Sequence, residues 1–269
     1  MKISSKELSK NIRINALKMV TKANASHIGS ALSIADIVGV LYADVLKIFP
    51  RNPKNPCRDR LILSKGHACV TIYAALAEMK FFPKKNLETY GDDFSLMMNH
   101  ISHKVPGVEF SSGSLGHGLP FGVGKALYAK RRNLCWRVFV ILSDGELNEG
   151  SNWEALMFAS HHQLCNLTVI VDYNKLQSLT SIDKTLALEP LSEKFRSFGA
   201  DVVELNGHDH VMLSQVLKVS GINRPKVIIA HTIKGKGVSF MENQVLWHYR
   251  SPNNDELLQA IKEIESENA

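Results

Sequence analysis

Apolar and polar residues follow one another along the chain in blocks that predict strands and helices in alternation. The clearest blocks lie within residues 137–177. Residues 138–142 and 167–171 are short apolar runs rich in β-branched side chains, as is typical of buried strands. Between them, Ser151 with Glu154 three positions later fits a capping box and predicts a helix. The apolar stripe of this helix would contain Trp153, Leu156 and Met157.

The same alternation extends to both sides of this unit. Ser4 and Glu7 fit a second capping box, and an apolar stripe follows it: Leu8, Ile12, Ala16 and Met19. Further helices are predicted at residues 34–48, 68–79, 191–198, 209–219 and 253–265, the last with a stripe of Leu257, Leu258, Ile261 and Ile264. Further strands are predicted within residues 60–67, 201–205 and 226–230, whereas residues 24–30 and 90–105 are predicted to be loops. This order predicts an α/β fold with a doubly wound, mainly parallel sheet flanked by helices.

Composition and charge exclude several classes of function. The chain has 269 residues, of which 45% are hydrophobic and 22% charged, so it can bury a core in one large domain or two small ones. The formal charge of +6 could suggest nucleic acid, but the basic residues are dispersed and no basic stripe with interleaved aromatic side chains occurs. Nucleic-acid binding is therefore not expected, and a basic cleft for anionic ligands explains the charge equally well.

Cysteine usage and the N-terminus indicate the compartment. The four cysteines lack CxxC spacing, which favours reduced thiols over zinc binding. The N-terminus has no apolar signal-peptide core, and no apolar run approaches the length of a membrane span. We therefore expect a cytoplasmic protein without a membrane association.

Oxygen-bearing side chains follow both strands of the central unit. Asp144 comes directly after the first strand and Asn174 follows the second, 30 positions later. Because ligands of open α/β sheets bind beyond the carboxyl ends of the strands, the two side chains should face one crevice. A carboxylate and an amide oxygen suit a hard cation such as Mg²⁺. The alternative is that both are turn residues that cap backbone groups, as Asp and Asn often do.

The stretch S-D-G-E-L-N-E-G, which begins at Ser143, resembles the thiamine-diphosphate motif of transketolases, including the asparagine about thirty positions later. The resemblance implies that Asp144, Asn174 and the main-chain carbonyl of Leu176 bind a divalent cation, Mg²⁺ or else Ca²⁺ or Mn²⁺. Asn174 would also contact the cofactor, and Gly145 would let the backbone approach the diphosphate. Ser143 stands where the family usually has glycine, a difference in a backbone turn rather than in a ligand.

Two loops with histidine extend the resemblance. The run A-S-H-I-G-S is similar to the S-G-H-P loop of the family, with Ile28 in place of proline, and implies that His27 reaches the substrate and Ser30 the cofactor. Without the resemblance, His27 could equally be a loop histidine of no consequence. The run L-S-K-G-H matches the family closely and implies that His67 lies beside the diphosphate, with Lys65 adding positive potential.

The glycine cluster that begins at Gly113 admits two interpretations. By itself it fits close packing of a helix, and a dinucleotide loop is disfavoured because no strand precedes it with an acidic residue about twenty positions later. It also resembles the transketolase turn G-S/P-L-G-Q-G, which implies that the backbone of Gly113, Ser114 and Leu115 contacts the aminopyrimidine. His117 replaces the glutamine of the family.

Three further positions follow from the resemblance. The run H-T-I-K-G-K-G is similar to the K-T-x-K-G-x-G loop of the family, whose second lysine approaches the cofactor and corresponds to Lys234 here. The W-H pair that ends at His248 matches a pair whose histidine lies over the thiazolium. His100 lies 13 positions before Gly113, where the family has a substrate-side histidine, and His103 is the rival assignment. The remaining histidines are interpreted as surface or core residues: His161, His162, His208 and His210.

The resemblance implies that residues 1–269 form a single thiamine-diphosphate-binding domain. This domain corresponds to only the diphosphate-binding half of a full-length transketolase. The resemblance therefore implies a two-subunit enzyme, in which a second chain carries the pyrimidine-binding and C-terminal domains and provides the activating glutamate. Two copies of each chain are expected, with active sites at the interfaces. Glu149 stands at the position of a carboxylate that helps to connect paired sites.

The implied reaction moves a two-carbon ketol unit from a ketose, or its phosphate, to an aldose. Protons and hydroxyls around the donor would be handled by His27, His67, His100 and His248. Alternatives are transfer to a carrier protein, transfer to an unusual sugar in a specialised pathway, and one half of an oxidative decarboxylase, against which the histidine set argues. From another class, the chain could be a non-catalytic regulatory partner, but the intact Asp144 and Asn174 pair argues against that.

Overall fold

One five-stranded sheet forms the centre of the computed structural model, which describes residues 3–266. Its strands are β1 (Arg60–Leu63), β2 (Val138–Ser143), β3 (Leu167–Tyr173), β4 (Asp201–Asn206) and β5 (Lys226–His231). They lie in the order β1-β2-β3-β5-β4, and every neighbouring pair is parallel. The predicted strand–helix–strand unit and the parallel sheet are confirmed.

Helices cover both faces of this sheet. They are α1 (Ser5–Ala23), α2 (Ile28–Ser33), α3 (Ala35–Val40), α4 (Cys69–Glu78), α5 (Gly118–Arg131), α6 (Gly150–His161), α7 (Ile182–Thr185), α8 (Leu191–Ser197), α9 (His210–Lys218) and α10 (Asn254–Ser266). A π-helical turn, Leu41–Val45, continues α3. Within residues 3–266 no helix has both the length and the hydropathy to cross a membrane.

The strands divide the interior into two hydrophobic cores. Successive side chains of a strand point to opposite faces, so Phe139 and Ile141 of β2 belong to the core that includes α1, α4 and α10. Val138 and Val140 belong to the core that includes α5, α6 and α8. Every residue of β3 is buried because helices cover both of its faces. The doubly wound arrangement predicted from the strand–helix alternation is therefore confirmed.

The predicted helix starts have different outcomes. At α1, the hydroxyl of Ser4 accepts the N–H of Glu7 at 3.1 Å, and the predicted stripe from Leu8 to Met19 is buried, so the predicted helix start and its apolar face are confirmed. At α6 the predicted capping box is wrong. The helix begins at Gly150, and the hydroxyl of Ser151 donates instead to the carbonyl of Gly116 at 2.7 Å.

Several element boundaries also differ from the prediction. Residues 28–30 belong to α2 rather than to a loop, with Ile28 fully buried at the first helical position, where proline is also tolerated. The helix predicted over residues 34–48 ends at Val45, because Leu46 is extended. Met157 and Leu258 belong to predicted apolar stripes but are 57% and 67% exposed.

Polar loops meet at the carboxyl edge of the sheet. In the register, Ser143 of β2 is opposite Asp172 of β3, and Tyr173 is opposite His231 of β5. The chain leaves these three strands at neighbouring points, so the loops that begin at Asp144, Asn174 and Thr232 converge there. This convergence is what builds the site described next.

Candidate active site

A cavity of about 220 Å³ lies at the carboxyl edge of the sheet. It gathers the predicted catalytic, cofactor-binding and metal-binding residues except Ser114, which is exposed outside the lining. Lys65 and Glu149, which the motifs also single out, do not line it either. Those that line it are His27, Ser30, His67, His100, Gly113, Leu115, Asp144, Gly145, Asn174, Leu176, Lys234 and His248. Ser143, Gln177 and Ser178 complete the wall, and sequence reasoning did not assign the last two.

Four histidines from distant parts of the chain form a cluster on one side of the cavity. The ring centroid of His27 lies 5.1 Å from that of His67, 5.9 Å from that of His100 and 5.0 Å from that of His248. His27 has a φ of 77°, an uncommon conformation for a residue other than glycine. Its N–H donates to the carbonyl of His248 at 2.7 Å, which ties the two ends of the chain together and holds this conformation.

Three imidazoles of this cluster, those of His27, His67 and His248, are neutral at neutral pH. Burial, followed by the charge of nearby His100, lowers the pKa of His27 to about 4. Burial, followed by Lys234, lowers the pKa of His248 to about 3, and burial with Lys65 holds the pKa of His67 well below its usual range. A neutral imidazole has one donor and one acceptor nitrogen, so these three rings can each hydrogen-bond to a ligand hydroxyl and accept its proton.

A buried ion pair supports the floor of the cavity. Lys65 and Asp172 are both fully buried, and the ammonium donates to the carboxylate at 2.5 Å. Ser33 donates to the same carboxylate at 2.6 Å, and Thr232 also donates to it. Although burial opposes its ionisation, Lys65 and these hydroxyls lower the pKa of Asp172. Lys65, which the resemblance assigned only a general positive potential, thus has a specific partner.

Three oxygen groups beside this pair have the chemistry of a divalent-cation site. The carboxylate of Asp144 accepts the N–H of Gly145 at 2.7 Å and that of Lys175 at 2.6 Å. Burial, followed by nearby Asp172, raises the pKa of Asp144 to about 7, so its charged form would gain from a cation placed beside it.

The side-chain oxygen of Asn174 accepts the N–H of Leu176 at 3.1 Å, and the carbonyl of Leu176 accepts the ammonium of Lys234 at 3.1 Å. Each of these two oxygens keeps a second lone pair. An all-oxygen set of this kind suits Mg²⁺, Ca²⁺ or Mn²⁺ rather than zinc. Residues 3–266 contain no group of three or more His, Cys, Asp or Glu side chains that could hold a metal, so the mixed oxygen set is the candidate.

Lys234 links the cation oxygens to the histidine cluster. Its ammonium donates to the carbonyls of Leu176 and Gln177 at 3.1 and 2.8 Å and lies 3.1 Å from Nδ1 of His248. Burial, followed by the charge of Lys65, lowers the pKa of Lys234 to about 8. This lysine places a positive charge in the cavity wall, which favours the binding of an anionic ligand.

Glu146 holds the glycine turn against the sheet, a role that sequence reasoning did not assign. Its fully buried carboxylate accepts the hydroxyl of Ser64 at 2.5 Å and the N–H of Gly116 at 2.9 Å. Burial raises the pKa of Glu146. Ser64 in turn accepts the N–H of Gly118, the first residue of α5. The acidic letter of the S-D-G-E motif was the available signal for this residue.

The structure separates the alternatives for the remaining histidines. His100 lines the cavity, whereas His103 is exposed and bonds to Ser111 at 2.7 Å. His117 is exposed outside the lining. The side chains of His208 and His210 are only 12% exposed and bond to Asp36, so these two are core rather than surface histidines.

The departure at Ser143 has a simple structural basis. Ser143 is the last residue of β2 and does not have a positive φ, so its backbone does not require glycine. Its N–H donates to Glu146 and its hydroxyl accepts the N–H of Glu146, both at 3.3 Å. Serine therefore fits this position without strain.

A larger cavity of about 800 Å³ lies elsewhere, around Phe81 and Phe82. Its lining is mainly apolar, and its carboxylate, Glu78, is occupied by Asn15 and Lys84. Size alone would favour this cavity, but the clustered titratable groups and cation-type oxygens are in the smaller one.

Comparison with known proteins agrees with this geometry. A family model described as "Transketolase, thiamine diphosphate binding domain" matches residues 4–266. The chain is 40% identical over 271 residues to one subunit of the apulose-4-phosphate transketolase of Actinobacillus succinogenes, with 98% of each chain covered. It is 37% identical over 263 residues to one subunit of the 6-deoxy-6-sulfo-D-fructose transketolase of Clostridium sp., covering 96% of this chain and 95% of the relative.

A solved structure extends the comparison to three dimensions. Transketolase from Campylobacter jejuni superposes with a TM-score of 0.91 at 28% sequence identity, and the match covers 97% of this chain. It covers 42% of the solved chain, so the present chain spans less than half the length of that protein.

Proposed function

Because the chain belongs to the transketolase family through its thiamine diphosphate-binding domain, we propose that it is the diphosphate-binding subunit of a two-subunit transketolase. The observation that carries the proposal is the single cavity in which Asp144, Asn174 and Leu176 lie close to a cluster of four histidines. Anchoring a diphosphate requires such oxygens around a cation, and sugar chemistry requires groups that move protons. Residues 1–269 would then be one domain of the complete enzyme.

Thiamine diphosphate, when bound, would supply the carbon nucleophile and the electron sink for transferring a two-carbon ketol unit from a ketose to an aldose. This chain would hold the diphosphate through Mg²⁺, or else Ca²⁺ or Mn²⁺, bound by Asp144, Asn174 and the carbonyl of Leu176. The remaining contacts to the cofactor would come from two groups. Ser30, His67, Gly145, Lys234 and His248 would face the diphosphate and thiazolium, and the backbone of Gly113, Ser114 and Leu115 would face the aminopyrimidine.

The four histidines would bind and deprotonate the sugar substrates. His27, His67, His100 and His248 lie within one cluster, and those with lowered pKa values are neutral bases. The hydroxyl of Ser30 lies 3.0 Å from Nε2 of His67, which fixes the orientation of that ring. A neutral imidazole among them would accept a hydroxyl proton of the donor and return it to the acceptor.

The active site would be completed by a second chain. The relatives are named as subunits, and the solved transketolase is more than twice as long as the part that this chain matches. The partner would carry the pyrimidine-binding and C-terminal domains and provide the activating glutamate. Two copies of each chain would form a heterotetramer, and exposed Glu149 would help to connect the paired sites. The four free cysteines suit the reducing cytoplasm, where we place the complex.

The substrates would be anionic sugars. The names of the two relatives specify a sugar phosphate and a sulfo sugar. A formal charge of +6 on this chain favours the approach of anionic ligands. We therefore propose a ketose with a phosphate or another acidic group as the donor.

Purification of the tagged chain from its own cells tests the two-subunit arrangement. We expect a stoichiometric companion of roughly 300 residues that carries the pyrimidine-binding domain. The purified pair should transfer a two-carbon unit between a ketose phosphate and an aldose when thiamine diphosphate and Mg²⁺ are supplied. A chain that comes out alone, or a pair that binds no cofactor, contradicts the proposal and favours the regulatory alternative. Cofactor binding without sugar transfer would favour transfer to a carrier protein.

A further inference from the structure

A second cluster of charged side chains lies behind the loop that carries Lys234. It consists of Arg13, Asp36, His208 and His210, and we call it the Asp36 cluster. Asp36 is 5% exposed and binds the guanidinium of Arg13 through two hydrogen bonds of 2.9 and 2.6 Å. His208 and His210 approach the same carboxylate at 2.7 and 3.1 Å. Although burial opposes its ionisation, Arg13 and both histidines hold the pKa of Asp36 well below its usual range.

The hydrogen bonds of His208 define its tautomer and its target. Nε2 of His208 accepts the backbone N–H of Ile233 at 2.9 Å, so this nitrogen carries no proton. The proton is therefore on Nδ1, which donates to Asp36. In this way Asp36 orients His208, and His208 holds the backbone directly before Lys234.

Arg13 holds the same loop at its other end. While two of its nitrogens bind Asp36, its Nε donates to the carbonyl of Lys236 at 3.1 Å. The backbone on both sides of Lys234 is thus attached to groups that Asp36 orients. Other hydrogen bonds also hold the loop. The N–H of Gly235 donates to the carbonyl of Gly29, Thr232 bonds to Asp172 and Tyr173, the carbonyl of Lys234 accepts the N–H of Asn243, and Lys236 and Gly237 donate to Glu242.

We propose that Asp36 and His208 are positioning residues that act on the cavity through Lys234. The ammonium of Lys234 contacts the carbonyls of Leu176 and Gln177 and Nδ1 of His248, so a shift of its backbone would displace a charge from both the cation oxygens and the histidine cluster. Stability of the interior does not by itself explain the cluster, since well-packed apolar residues often stabilise an interior as well as a buried ion pair does. Its bonds are directed at two backbone groups of one loop. This inference rests on the proposed function only for the role of Lys234 towards thiamine diphosphate.

Amide hydrogen exchange of the full chain tests the attachment of the loop without any assay of activity. In His208→Ala, exchange should increase about tenfold at residues 232–237, as expected for the loss of one net hydrogen bond, and remain unchanged in the strands. His208→Gln keeps one donor and one acceptor and should restore protection. His231→Ala is the matched control, because this neighbouring histidine pairs with Glu204 where both side chains are nearly half exposed. Unchanged exchange at residues 232–237 in His208→Ala would overturn the inference.

A double-mutant cycle in the complex with the partner chain tests whether the effect passes through Lys234. His208→Ala should weaken thiamine diphosphate binding in the presence of Mg²⁺ about tenfold in the native background. In the Lys234→Ala background the same change should have little further effect, because the group it positions is absent. Equal losses in both backgrounds would mean a purely structural role and overturn the inference. If the unaltered complex binds no thiamine diphosphate, the proposed function fails, and the exchange measurement still decides whether the cluster fixes the loop.

Discussion

Individual residues at the carboxyl edge of the sheet combine charges that a folded interior normally avoids. Asp144 and Asp172 are both buried within one network, and only Asp172 has a direct lysine partner. Burial close to Asp172 raises the pKa of Asp144, and a raised pKa of this kind is typical of a carboxylate that binds a cation. Substitution of Asp144 is therefore the most direct test of the cation hypothesis.

Replacing Asp144 should remove the cation site. We expect Asp144→Ala to weaken Mg²⁺-dependent thiamine diphosphate binding roughly 100-fold or more, since loss of an outer contact to a metal ligand alone costs 10- to 100-fold. Titration calorimetry of the two-chain complex with and without Mg²⁺ measures the effect. Asp255→Asn, on α10, is a control acid that should bind as the native chain does. Retained Mg²⁺-dependent affinity in Asp144→Ala would exclude Asp144 as a ligand.

Protonation of His27 should link stability to pH. Its pKa is about 4 in the folded chain and about 6.5 when unfolded, so between these values the unfolded state binds more protons. The free energy of unfolding should therefore fall as the pH is lowered through this window, and His27 should contribute no slope above it. His248 and His67 act in the same direction.

Urea unfolding at pH 7 and pH 5 separates the contribution of His27 from the rest. His27→Gln should lose less stability between the two pH values than the native chain. His103→Gln, which alters an exposed histidine, should behave as the native chain does. An unchanged pH slope would show that His27 is not buried as a neutral ring.

In the complex, His27→Gln should also lower turnover roughly 10²- to 10⁴-fold if His27 is a general base.

Local motifs predicted most of the cavity but not the groups behind it. Short sequence motifs contain Asp144, Asn174 and the four histidines, and the spacing of these motifs can be recognised in the sequence alone. Glu146, Asp172 and Asp36 act through partners dozens of positions away, such as Ser64 and His208, and only the fold brings these together. The exposed position of Ser114 could not be predicted either, since a turn does not specify which of its residues faces inward.

Among the elements, α5 and the turn before it contain glycines whose packing requirements differ. A Cβ on Gly118 would lie 2.3 Å from the hydroxyl of Ser64, so the start of the helix can approach β1 only with glycine there. A Cβ on Gly113 would lie 3.7 Å from His100, an ordinary contact. A Cβ on Gly124 would meet nothing within 4 Å. Close packing therefore explains glycine at position 118 but not at position 113, which lines the cavity.

Three alanine substitutions along this segment should have three different results. Gly118→Ala should lower the free energy of unfolding by about 1–3 kcal/mol through overpacking. Gly124→Ala should raise it by about 0.5–1 kcal/mol, because alanine favours the interior of a helix. Gly113→Ala should leave stability unchanged and weaken cofactor binding. Denaturant unfolding and thiamine diphosphate titration of the complex distinguish these outcomes, and a destabilised Gly113→Ala with normal affinity would contradict the assignment of that turn.

Strands were predicted more accurately than helix starts for a physical reason. A buried parallel strand is apolar along its whole length, so β2 and β3 differ from their predicted ends by one or two residues. A capping box is a local pattern that a tertiary contact can override. Ser151 uses its hydroxyl to hold Gly116 beside the cavity, and α6 begins one residue earlier without a side-chain cap.

For the whole molecule, the proposal of a second chain makes a quantitative prediction about ligand stabilisation. Thiamine diphosphate with Mg²⁺ should raise the melting temperature of the two-chain complex far more than that of this chain alone, because the partner supplies the other half of the site. A ligand at 100 times its Kd stabilises the folded state by about 2.7 kcal/mol. Thermal unfolding of each sample measures the shift. Equal shifts for the chain and the complex would mean that this chain binds the cofactor without a partner.

The bond between the N–H of His27 and the carbonyl of His248 joins positions at opposite ends of the sequence, and Ser251 likewise donates to the carbonyl of Val20. Contacts of such large sequence separation form late in folding, since the intervening loop must first be ordered. A chain still on the ribosome can pair β2 with β3 and bring Asp144 near Asn174, yet its histidine cluster stays open until His248 has emerged. Cofactor binding of the proposed kind would then be confined to molecules synthesised at least as far as His248, and shorter nascent chains would lack the complete histidine cluster.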